Sequence, residues 1–352
     1  MTVQEIVDAA IASGDEIGLQ VAAYIDGELA IDIAAGVDAD TLIHGYSVGK
    51  GTAAVLAAFL VERGELGYDT PVAEYWPEFA KHGKEKITVG HVLSHTSGLP
   101  FLPPDITVDT LVDQHAMAEL LADRTPEWEP GTATGYQGWT YGHLTAEIVR
   151  RATGRTIDEV LRDELTKPLG IEDSLLFSVP DDVKVAPLQA STWETFLDGL
   201  PPYAGMFKMA PRVVLPVASL ANRRDYLRAG IPAGATATAR GLAGMYAGVL
   251  SGKVVSPETL ATATKPRTAE LGDDRVFAQP LLKSYGFFLA EQGSSINASI
   301  RGFGMTGSGG HVGFADPERN IAFAFLHTRL TDFRNTIVQR ILVELGYPDP
   351  FA

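Results

Sequence analysis

Strand-like patterns stand at both ends of this chain and helical patterns fill its middle, an order that admits few folds. Near the start, residues 19–25 and 28–34 are apolar runs joined by Asp26-Gly27, the turn dipeptide of a tight β-hairpin. Three more strand-like runs come late, at 284–291, 303–316 and 320–328. A short amphipathic helix is predicted over 3–12 and a closing helix over 329–345. Residues 52–63 are apolar all round, the pattern of a helix buried at the centre of a fold. From there to about residue 250, helical patterns at 89–93, 108–122, 141–152 and 157–165 alternate with Pro- and Gly-rich loops. The loops around 99–104 and 176–209 have little periodicity and a length that belongs to binding clefts more than to scaffolds. The order predicts a mixed α/β fold of the α+β type: one sheet assembled from both chain ends, flanked by helices, with a mainly helical domain inserted. The expected boundaries are 1–68 and 251–352 for the sheet domain and 69–250 for the insertion, with the active site between them.

Charge and composition narrow the function. The 44 acidic residues outnumber the 28 basic ones, for a net charge of −16 across 352 residues. Such a surface repels phosphate backbones and anionic lipid, so neither nucleic acid nor a membrane surface is an expected partner. The absence of cysteine excludes disulfides, thiolate metal sites and a cysteine nucleophile. No apolar run reaches the roughly 18 residues of a membrane span. The first 18 residues carry Glu5, Asp8, Asp15 and Glu16 without a basic start, which predicts a cytoplasmic protein. No interface signature is readable, and the oligomeric state stays open.

The segment Gly45-Tyr46-Ser47-Val48-Gly49-Lys50 satisfies two catalytic patterns at once, G-x-S-x-G and S-x-x-K. In the S-x-x-K reading, positions i and i+3 share a helix face, so Lys50 lies against the Ser47 hydroxyl. Ser47 in the first turn keeps an unsatisfied backbone N–H, aimed where an oxyanion would form and favoured by the helix dipole. Partial burial would lower the Lys50 pKa toward that of a useful base. The same residues also read as an N-cap serine and a solvated lysine. In the G-x-S-x-G reading, His311 or His327 would be the base of an α/β-hydrolase. Only 46 residues and one hairpin precede Ser47, too few for the parallel strands that fold sets before its nucleophile. Two more segments stand out: the Pro/Gly-rich loop 130–142, which delivers Tyr136 ahead of a helix, and the Gly-dense strand 303–311.

Together, Ser47-x-x-Lys50, Tyr136 on a Pro-Gly-Thr loop, and a Gly-rich strand followed by Phe314-Ala-Asp-Pro317 resemble the serine β-lactamase/penicillin-binding-protein superfamily. Within it the chain is similar to class C β-lactamases and the related family VIII carboxylesterases. The stretch 87–100, with its Ser94-His-Thr-Ser-Gly98 run, and residues 145–154 and 167–171 support the resemblance, which extends over roughly residues 15–345. It implies an antiparallel β-lactamase/transpeptidase-like sheet and a cofactor-free serine hydrolase. Ser47 matches the acylated nucleophile, Lys50 its base partner, and Tyr136 the tyrosine that takes or returns the proton. The backbone N–H groups of Ser47 and Ser308 would form the oxyanion hole, and Gly138, Met305, Thr306 and Gly307 would face the substrate. His95 matches a residue that is structural in the family.

Two departures bear on the substrate. Gly138 stands where the Y-x-N motif has Asn, and Met305 where K-T-G has Lys, so side chains that hold a lactam's amide and carboxylate are replaced. The expected activity is therefore cleavage of small carboxylic esters through a Ser47 acyl-enzyme. Transfer of the acyl group to an alcohol or amine is the alternative, followed by β-lactamase or peptidase action, and by a silent binding protein on the same fold. No His, Asp or Glu spacing points to a metal site, and no cofactor is expected.

Overall fold

The N-terminal hairpin forms where its turn residues place it. β1 (Leu19–Ile25) and β2 (Glu28–Ala35) pair antiparallel. Asp26 (φ 51°) and Gly27 (φ 83°) both take the left-handed backbone of a type I′ turn. A computed structural model describes residues 1–290, 300–332 and 336–348 of the chain. Along it follow β3 (Ile43–His44), β4 (Leu175–Leu176) and β5 (Thr236–Ala237), which form a small sheet in the order β3-β5-β4. Then come β6 (Phe288–Leu289), β7 (Phe303–Gly307), β8 (His311–Asp316) and β9 (Ile321–His327).

Among the described residues the main sheet has six strands in the order β2-β1-β9-β8-β7-β6, all antiparallel. Its two halves come from opposite ends of the chain and join where β1 pairs β9, from Leu19 opposite His327 to Ile25 opposite Ile321. All seven residues of β9 are buried, so both faces of that strand are covered, and its unbroken apolar run reads accordingly. Five helices frame the parts that matter here: α1 (Val3–Ser13), α2 (Val48–Glu62), α3 (Thr140–Thr153), α4 (Ala239–Leu250) and α5 (Thr336–Glu344). α2 packs against β7 and α3, and α1 packs on α5. Helices pack on an antiparallel sheet drawn from both chain ends, the mixed arrangement that the sequence order and the resemblance lead one to expect. Among the described residues no helix is long and apolar enough to cross a membrane.

Several local expectations change. The run 303–316 is two strands, because Gly309 (φ 91°) and Gly310 (φ 104°) turn the chain back after Ser308 in a conformation open to glycine. The expected strand 284–291 is strand only at β6 among the described residues, and residue 291 lies outside them. The closing helix runs from Thr336, with residues 333–335 outside the description. Before it, Arg329 and Leu330 are bridged to Gln189 instead of being helical. The supposed loop 176–209 contains helices Thr192–Gly199 and Gly205–Met209, the first started by a Ser191/Glu194 capping box. α4, assigned by its position to the insertion, packs on β1, β8 and β9 and so sits with the sheet.

Candidate active site

β3 and β5 set the entry to the site. The Gly45 N–H donates to the Ala235 carbonyl at 2.8 Å, and Tyr46 then turns the chain into α2 with φ at 48°. A left-handed backbone at a bulky residue is strained and persists only where its surroundings enforce it. Here the Tyr46 hydroxyl donates to the Val217 carbonyl at 2.6 Å, and the ring packs edge-on against His44 at 4.7 Å. Ser47 is thereby placed as N-cap of α2, ahead of the helix's first bonded N–H groups, with no capping bond from its hydroxyl.

Lys50 lies one turn on and is completely buried. Its Nζ is hydrogen-bonded to Ser47 Oγ at 3.0 Å and donates to the Ala233 carbonyl at 3.1 Å. Among the described residues no carboxylate forms an ion pair with it. Burial therefore holds its amine well below the ordinary lysine range. The approach of α2 to the 233–235 segment is possible because residue 49 is glycine: a Cβ there would overlap the Gly234 carbonyl carbon. Gly49→Ala is expected to destabilise the protein by roughly 3 kcal/mol or more, since backbone and not a side-chain tip must give way. Thermal unfolding of the variant checks this, and an unchanged melting midpoint would refute the packing described.

Tyr136 arrives from the loop before α3 and lines the same cleft as Ser47. Its ring stacks on His95 (centroids 5.0 Å apart) and tilts against Phe277 and Phe288, with Lys50 Nζ 5.0 Å from the ring centre. Burial is the main influence on the phenol and raises its pKa, the Ser47 hydroxyl opposing and the Asp274 charge adding to the rise. His95 Nδ1 accepts the Gln137 N–H at 3.0 Å, which pins the backbone beside Tyr136. Burial, reinforced by Lys283 and Lys50, keeps this imidazole far below its ordinary pKa and hence neutral. Behind Phe277, the buried Asp274 carboxylate accepts from Lys283 Nζ (2.6 Å) and from the Val276 and Phe277 N–H groups, fixing that loop.

Ser47, Lys50, Tyr136, Gly138, Thr306, Gly307 and Ser308 all line one cleft of about 550 Å³, part of it open to solvent. Met305 does not. It is fully buried, and its Cγ lies 3.4 Å from where a Cβ on Gly51 would stand, so the side chain faces α2. The expectation that Met305 touches substrate is corrected on this point. Trp139, Trp193, Met206, Met209, Phe277 and Phe288, which the sequence did not single out as site residues, supply the apolar walls. Met209 has a particular place: a Cβ on Gly138 would stand 2.5 Å from its Sδ and 2.9 Å from its Cε. The thioether fills the room that a side chain at position 138 would take. His311 and His327 are buried and line no part of the cleft. Among the described residues no group of three His, Asp or Glu side chains could hold a metal ion.

A family model described as Beta-lactamase matches residues 3–345. The chain belongs to the beta-lactamase family. Among its relatives in that family, the esterase/beta-lactamase LipL of Mycobacterium tuberculosis is 31% identical over 338 residues, covering 89% of this chain and 77% of LipL. Among solved structures, EstA from Arthrobacter nitroguajacolicus Rue61a superposes with a TM-score of 0.85 at 28% identity, covering 98% of this chain and 96% of EstA. A family VIII carboxylesterase gives the same TM-score and coverages at 26% identity. The beta-lactamase-family fold thus comes with esterases among its relatives.

Proposed function

We propose that this protein hydrolyses small, uncharged carboxylic esters through an acyl-enzyme on Ser47. The observation that carries the reading is the contact of Ser47 Oγ with a fully buried lysine that has no counter-ion among the described residues. A neutral Lys50 amine donates to Ala233 and has a lone pair for the Ser47 proton as Oγ attacks the acyl carbon. The tetrahedral oxyanion would sit between the N–H groups of Ser47 and Ser308. As the ester C–O bond breaks, the Tyr136 hydroxyl gives its proton to the departing alkoxide and regains one from the Lys50 ammonium. Water then repeats the sequence in reverse, leaving acid, alcohol and the starting enzyme. The division into a sheet part and a helical insertion belongs to the same reading, since Ser47, Lys50 and Ser308 come from one side and Tyr136 and Gly138 from the other.

The walls favour esters over lactams. Met209 occupies the volume where an amide side chain on residue 138 would bind a lactam's acylamino group, and the lining carries no basic side chain besides the neutral Lys50. Each absent charge-assisted contact is worth roughly 1.5–3 kcal/mol, or about one to two decades in kcat/KM. LipL, EstA and the family VIII carboxylesterase support the esterase side of the family. Two measurements test the proposal. A fluorophosphonate probe is expected to label the peptide containing Ser47, and an unlabelled peptide would rule out an acyl-enzyme. kcat/KM for 4-nitrophenyl acetate and butyrate is expected to exceed that for nitrocefin and benzylpenicillin at least tenfold, and equal efficiency would overturn the preference.

A further inference from the structure

The turn that carries Ser308 is tied from behind by a pair of buried side chains far from the cleft in sequence. His327, the last residue of β9, has its Nε2 2.7 Å from the Gly309 carbonyl and its Nδ1 2.8 Å from Glu16 Oε1. Both side chains are completely buried. A carbonyl oxygen only accepts, so Nε2 carries a hydrogen. The Nδ1–Oε1 contact then needs one more proton, on the ring or on the carboxyl, and in either arrangement the pair is neutral overall. Glu16 thereby sets which ring nitrogen faces Gly309 and how the ring is oriented, as an outer-shell carboxylate does for a ligating histidine.

The object held is the Ser308–Gly310 turn. Gly310 N–H donates to the Gly307 carbonyl at 3.1 Å, and Thr331 N–H joins His327 on the Gly309 carbonyl at 2.8 Å. Gly309 and Gly310 both have positive φ and little intrinsic stiffness, so the position of the Ser308 N–H depends on these outside ties. We propose that Glu16 and His327 are positioning residues for the oxyanion hole, holding Ser308 at the geometry where its N–H meets the developing charge. The proposal rests on the acyl-enzyme reading above, with Ser308 as one of the two donors. It gives the linker between α1 and β1 a part in catalysis that neither its distance from Ser47 nor its sequence reveals.

The test uses the intact chain with three substitutions. His327→Asn places an amide near Nδ1 and removes the donor to Gly309. His327→Gln carries its amide near Nε2 and keeps that donor, and Glu16→Gln keeps a hydrogen-bonding partner for Nδ1. The expected result is a fall in kcat for 4-nitrophenyl butyrate of about 10–100-fold in His327→Asn with little change in KM, and recovery to within about fivefold of wild type in His327→Gln and Glu16→Gln. Affinity for an alkyl trifluoromethyl ketone, whose adduct with Ser47 puts an oxyanion in the hole, should fall in parallel with kcat. Should His327→Asn fail to fold, Glu16→Leu, which leaves the imidazole without its orienting carboxylate, is expected to show the same split in the same direction. Equal ketone affinity in wild type and the folded Asn or Leu variant, with Ser47 still labelled by fluorophosphonate, overturns this proposal and leaves the acyl-enzyme intact. An unlabelled wild-type Ser47 overturns both.

Discussion

Replacing Ser47 by alanine is expected to abolish both covalent labelling and ester turnover, a loss of about 10⁴-fold or more in kcat. Lys50→Ala should approach the same floor, and the double variant should be barely worse than either single one. The reason is geometric. A hydroxyl and an amine 3.0 Å apart act on one proton, so removing either partner removes the whole transfer. Losses that multiply in the double variant would show two independent contributions and contradict a shared unit. Stability should move the other way for Lys50→Met. The unfolded chain holds Lys50 at its ordinary, higher pKa and binds a proton there that the native state releases. The site's contribution to stability is therefore fully present only above the ordinary lysine value, and is lost as pH falls through the depressed native one. An apolar side chain of similar length escapes that penalty, so the Met variant should melt higher than wild type near neutral pH while remaining inactive. A lower melting midpoint would mean that Lys50 is not held neutral by burial.

How far the sequence reveals this site depends on how local each contact is. The Ser47–Lys50 contact follows from helix periodicity within four residues, and the outer strands follow from hairpin chemistry at Asp26-Gly27. Tyr136 is not local. Nothing within its loop ties it to Ser47, and it was identified from the resemblance of the three segments taken together. Met305 is assigned to the substrate only by its match to the first position of K-T-G. The strand Phe-Gly-Met-Thr-Gly has no clean alternation of apolar and polar residues to test that match, and in the structure Met305 faces α2. Met209 filling the space beside Gly138 was invisible because it comes from a short helix in a segment that reads as loop. The Glu16–His327 contact spans 311 positions and exists only because β1 and β9 pair in one particular register. The helices in 192–209 are short enough that their caps and tertiary packing, and not periodicity, specify them.

Tyr136→Phe is expected to lower kcat by about a hundredfold or more for alkyl esters, the range of a lost general acid or base. The substitution keeps the ring and therefore its stacking on His95 and its contacts with Phe277 and Phe288, so the melting midpoint should hardly change. Burial raises the phenol's pKa, which keeps it protonated at neutral pH and makes it a donor to the leaving group before it is an acceptor. That order has a consequence for the choice of substrate. An alkyl ester expels an alkoxide too basic to leave without a proton, whereas a 4-nitrophenyl ester expels a stabilised phenolate that needs none. The loss in acylation rate should therefore be large for ethyl butyrate and much smaller for 4-nitrophenyl butyrate, measured by single-turnover kinetics on both esters. Wild-type acylation should also weaken as pH falls and Lys50 takes up a proton, and this acid limb should persist in the Phe variant because it belongs to the lysine. Equal losses for the two esters would remove Tyr136 from leaving-group protonation and confine it to transfer between Ser47 and Lys50. Near-normal acylation of the alkyl ester would remove it from the proton path altogether.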